Sequence, residues 1–134
     1  MTDRESAEPA QLDKLTGTDV YVGNAADDGA SHRGWFVGQF IPAAAGGRST
    51  GDLEVKWGVH PAGEERSSWS PGDHTTTLVL LVQGRFKISL PRTEVLFSRP
   101  GDYAVWGPGT AHHWAAVDDS VVLTVRWPSR SVER

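Results

Sequence analysis

Between Trp35 and Trp127, glycine, proline and aspartate recur so often that no stretch is long enough for an ordinary helix, while the segments between them alternate apolar and polar residues with a period of two. Residues 53–60 show this most clearly: Leu53, Val55, Trp57 and Val59 fall on one side, and Glu54, Lys56, Gly58 and His60 on the other. That pattern reads as a half-buried strand, with Glu54 and Lys56 toward solvent. Residues 75–82 form an apolar, partly β-branched run ending at Gln83-Gly84, which reads as a hairpin turn into a strand at 85–90. There Phe86, Ile88 and Leu90 point inward. Further strands are expected at 94–97, 103–106, 112–117 and 121–127, separated by Pro91-Arg92, Pro100-Gly101-Asp102, Gly107-Pro108-Gly109 and Asp118-Asp119-Ser120. Roughly eight or nine short strands without helical periodicity specify an all-β sandwich or barrel, and a single-domain jelly-roll β-barrel fits best.

A chain of 134 residues suffices for one domain with its own core. Residues 1–17 are polar, carry Pro9 and Gly17, and are expected to form a flexible N-terminal tail, leaving 18–134 as the domain. Within it a short strand is expected at 19–23, a turn-rich loop at 24–33, a strand at 35–41, a long mobile connection at 42–52 and a polar loop at 61–72. No apolar run approaches the length of a membrane span, and residues 1–12 lack the apolar centre of a signal peptide, so a cytoplasmic protein without membrane contact is expected. The net charge of −4 and the lack of a Lys/Arg stripe argue against nucleic acid as a partner. With no cysteine, any metal must be held by His, Asp or Glu. Six tryptophans lie in or beside the expected strands and should pack in the core or wall a cavity.

The stretch 101–114 reads as turn, strand, tight turn and then a histidine, His112, entering the next strand. This segment resembles the second signature of the cupin superfamily, in which a glycine, a five-residue strand and a Pro-Gly turn precede a metal-ligating histidine. Gly101, Pro108, Gly109 and His112 match; Gly107 stands where many members have proline, and Ala116 where the family has asparagine. The first signature is degraded. Counting back from Gly84 puts Thr77 at the family's glutamate and Pro71 and Asp73 at its two histidines, with His74 one step out of register.

The resemblance implies a cupin-like jelly roll, a small organic molecule as partner, and a homodimer. It also implies a divalent transition metal, for which Asp73, His74 and His112 form the remaining candidate set if a one-residue shift turns His74 inward. Without a metal, His112 is the candidate proton carrier, assisted by His60 if its face of the strand lines the barrel mouth. Trp69 and Trp114 are candidate pocket walls. Arg126 alternates with Val125 and Trp127 and reads as solvated; turned inward, it would anchor an anion. His113 should point away from His112. Three functions remain open: an oxygenase, isomerase or cyclase centred on His112, a binding or sensing module that has lost the metal, and a scaffold whose interior is filled by tryptophan.

Overall fold

The computed structural model describes residues 20–129, so the tail expected at 1–17 lies outside the described residues. Nine strands follow in order: β1 (Trp35–Val37), β2 (Glu54–His60), β3 (Glu65–Ser70), β4 (Thr76–Gln83), β5 (Phe86–Leu90), β6 (Thr93–Phe97), β7 (Tyr103–Trp106), β8 (His112–Ala116) and β9 (Ser120–Trp127). They form two antiparallel sheets, β1-β2-β9-β4-β7 and β3-β8-β5-β6. The pairing is nested. β5 pairs with β6, β4 with β7, β3 with β8 and β2 with β9, and alternate pairs fall in opposite sheets, which is a long hairpin rolled into a jelly roll. The two sheets share no ladder among the described residues, so the architecture is a sandwich with a hollow between its layers.

The core fills the space between the inner faces, and part of it walls the hollow. Leu81, Phe86, Ile88, Phe97, Ala116 and Val122 are buried there, joined by Val79 and Trp106. Phe86 and Ile88 point inward as the alternation of β5 predicts.

Several expected elements differ. Gln83-Gly84 does not close a hairpin, because β4 and β5 belong to different sheets and the turn carries the chain from one layer to the other. Residues 61–72 are not all loop: β3 adds an edge strand whose exposed polar side chains hide it from a hydrophobicity reading. Val20 to Asn24 form no strand, and the loop expected at 24–33 holds a short helix α1 (Ala25–Gly29), whose Asp27 N–H donates to the Asn24 side chain. The strand expected at 35–41 stops at Val37. The connection that follows includes a 3-10 turn over Ala43–Arg48, tied down where Arg48 Nε donates to the Phe36 carbonyl.

Gly84 makes the crossing between layers possible. Its φ is +101°, and a Cβ there would lie 2.3 Å from the Asp119 carbonyl oxygen. Both the backbone angle and the contact penalise any other residue. Gly84→Ala is expected to lower the unfolding free energy by about 1–3 kcal/mol in urea titration. A loss below about 0.5 kcal/mol would show that the crossing tolerates a side chain.

Candidate functional site

The register of the five-stranded sheet decides what faces the hollow. Glu54, Lys56, Gly58 and His60 of β2 stand opposite Arg126, Thr124, Val122 and Ser120 of β9, and Thr77 and Val79 of β4 stand opposite Arg126 and Thr124. All of these point inward. Lys56 and Glu54 are therefore interior residues, and the reading that put them toward solvent is reversed. The same holds for Arg126, since Val125 and Trp127 take the outer face.

A cavity of about 160 Å³ opens between the sheets. Its lining mixes indoles (Trp35, Trp106, Trp114), imidazoles (His60, His112) and cations (Lys56, Arg66, Arg126), with Asp73 the one carboxylate. Trp114 stacks on Phe86, with ring centroids 5.3 Å apart, and carries His60 against its other neighbours at 4.5 Å. Trp69 is not part of the wall. It lies half exposed on β3, its ring edge-on to His113 at 4.4 Å.

Each cavity histidine is fixed through Nδ1. His112 Nδ1 donates to the Thr110 carbonyl at 3.1 Å, and its ring packs 4.8 Å from that of Trp106. His60 Nδ1 donates to Glu64 Oε1 at 2.6 Å. In both rings Nε2 remains as the second functional nitrogen. The His60 ring overlies Gly58, where a Cβ would stand 2.9 Å from Nε2, so the glycine gives the imidazole its place.

Arg126 organises the end of the cavity away from His60. Its Nη2 lies 2.6 Å from Oε2 of Glu54, a carboxylate with no solvent exposure, and its Nη1 is 3.4 Å from Asp73 Oδ2. The guanidinium also rests on Trp35, 4.3 Å from the ring centroid. Ser129 Oγ donates to the other Glu54 oxygen at 2.9 Å. Lys56 Nζ lies 5.7 Å from the Trp35 ring centroid. Burial, then the charges of Arg126 and Arg33, push the Lys56 pKa down despite the opposing pull of Glu64.

Asp73 and His74 part company. Asp73 accepts from the Thr75 N–H and hydroxyl, and its carbonyl accepts from the Gly109 N–H at 2.7 Å, which docks this loop onto the turn before His112. Burial opposes the charge on Asp73, but the Thr75 hydrogen bonds and the charges of Arg126 and His74 hold its carboxyl below the usual range. His74, on the bend before β4, is exposed and does not line the cavity.

These residues do not fit the metal that the family signatures imply. Among the described residues no three His, Asp or Glu side chains gather closely enough to hold one ion. Asp73 already serves Thr75 and Arg126, and the shift that would bring His74 inward has not occurred.

Lys56, Arg66, Trp35 and Trp106 are cavity residues that the sequence reading did not single out. Lys56 shares His60's strand face, and that spacing was a usable signal. Arg66 lies on a strand without apolar alternation and left none.

No family model and no curated protein matches this sequence. Solved structures do resemble it. KdgF from Halomonas sp. is 27% identical with a TM-score of 0.55, covering 60% of this chain and 74% of its own. An RmlC-like cupin from Shewanella frigidimarina is 15% identical with a TM-score of 0.54, covering 60% and 70%. A cupin protein from Bacteroides fragilis is 19% identical with a TM-score of 0.51, covering 62% and 71%.

Proposed function

For a chain that belongs to the cupin superfamily and whose cavity gathers imidazoles instead of a metal-ligand set, we propose an enzyme that moves a proton on a small organic molecule, of the isomerase or cyclase type. The carrying observation is the pair of cavity histidines, each anchored at Nδ1. His112 is the general base: with its Nδ1 proton committed to the Thr110 carbonyl, the neutral ring keeps a lone pair on Nε2 for a substrate C–H. His60 is the second acid–base group, and Glu64 is the positioning residue that fixes its ring. Breaking the C–H bond next to a carbonyl leaves the electron pair as an enolate, and returning the proton at another atom completes an isomerisation. The indoles of Trp106 and Trp114 favour an unsaturated or ring substrate.

The test is proton exchange. Cyclohexanone and 2-oxocyclohexanecarboxylate incubated with the protein in deuterium oxide are followed by NMR for loss of the C–H signal next to the carbonyl. Faster exchange than in buffer supports the enzyme. Saturable binding without exchange selects the alternative, a binding or sensing protein that retained the cavity and lost the metal site.

The protein acts as a homodimer in this reading, through the outer face of the five-stranded sheet. Val55, Trp57, Val59, Leu80, Leu123 and Val125 are neighbours there by register, and Val59 is 64% exposed. An apolar face this continuous suits a second copy, because a two-fold axis lets one flat surface cover itself. Leu123→Glu is expected to give a folded monomer in sedimentation velocity, where the native chain sediments as a dimer. A native monomer at micromolar concentration would end this assignment.

A further inference from the structure

We propose that the cavity takes a small organic carboxylate built on a single ring, its carboxylate seated against Lys56 and Arg126 and its ring against the indoles of the lining. The inference rests on the cavity being a small-molecule site, and it names the ligand class.

Charge is the first argument. Three cationic side chains line the cavity against one carboxylate, Asp73. Arg126 is answered by Glu54 and Asp73. Lys56 and Arg66 have no carboxylate within ion-pair distance among the described residues, and Lys56 leans on Trp35 instead. A half-buried ammonium without a counter-ion is costly, and an anion entering beside it removes that cost. The depression of the Lys56 pKa is in keeping, since burial and Arg126 are its leading causes and a bound anion would oppose both.

Position is the second argument. Lys56 and Arg126 both contact Trp35, so their charged ends lie at one end of the cavity. Trp114, with Phe86 and His60 packed on it, supplies flat apolar wall elsewhere. A ligand with one anionic end and one flat end matches both.

Volume is the third. A cavity near 150 Å³ is known to hold a benzene molecule, and the hollow here is about 160 Å³. One ring with its carboxylate against Lys56 and Arg126 is what that space allows.

Calorimetric titration of the native protein with benzoate, benzamide and inorganic phosphate tests the class. Benzoate is expected to bind about tenfold or more tighter than benzamide, its neutral counterpart of the same shape, and phosphate far more weakly than either. Lys56→Met should remove most of the benzoate advantage and leave benzamide nearly unchanged. If that variant fails to fold, Lys56→Gln takes its place, and the native benzoate-to-benzamide ratio remains decisive. Equal binding of benzamide and benzoate would overturn the anion class while leaving the small-molecule site standing. Phosphate binding as tightly as benzoate would overturn the organic part. No binding of either ring compound would overturn both this inference and the site it rests on.

Discussion

Arg126→Met is expected to lower the free energy of unfolding by about 3–5 kcal/mol, the usual cost of removing one partner of a buried ion pair. The group that loses this partner is Glu54, which has no solvent exposure and whose Oε2 lies 2.6 Å from the guanidinium. Methionine replaces the length of the arginine stem and much of its packing on Trp35, so the loss reports the charge rather than a hole. Adding Glu54→Gln should recover a large part of it, because the amide oxygen still accepts from Ser129 Oγ and no charge remains to be matched. Urea unfolding at neutral pH measures both variants. A single-variant loss below about 1 kcal/mol, or no recovery in the double variant, would show that the pair does not hold this end of the sandwich.

The second large effect concerns chemistry. Given an exchange substrate, His112→Gln is expected to slow proton exchange by about 100- to 10,000-fold, the range over which a positioned general base contributes. Glutamine keeps a polar side chain of similar reach but cannot cycle a proton. Substrate affinity should move by only a few-fold, so the loss falls on kcat and not on KM. Glu64→Gln should act more mildly and alter the pH profile of kcat, because it changes the partner of His60 Nδ1 and leaves both rings in place. A His112→Gln variant that retains its exchange rate within a few-fold would remove His112 from the reaction.

The punctuation of the chain determined a good deal of this protein. Turn residues and alternation located β4, β5, β7, β8 and β9 to within a residue or so, because Gly, Pro and Asp impose local backbone geometry that tertiary contacts seldom overrule. The stretch ending at His112 placed that histidine at a strand start, and it lines the cavity as one of the expected site residues. Trp114 followed from the same alternation, whereas His60 stood on a face expected toward solvent and was a candidate only if that face lined the barrel mouth. β3 was missed for the opposite reason, since an exposed edge strand of Glu65, Arg66, Ser67 and Ser68 has no apolar face to betray it.

Only the tertiary structure decided which face of each strand looks inward. Alternation divides β2 into two faces and cannot say which is interior; the ordinary rule turns the apolar one in. Here Val55, Trp57 and Val59 face out, while Glu54, Lys56 and His60 face a hollow, because the partner strand β9 brings Arg126 across from Glu54 and a polar cavity can accept what a packed core could not. That pairing joins residues 72 positions apart, and no local pattern encodes it. The same long-range register drew Arg126 inward beside Lys56 and Trp35, while His74, on the bend before β4, lies outside the cavity that only a one-residue shift would have let it serve.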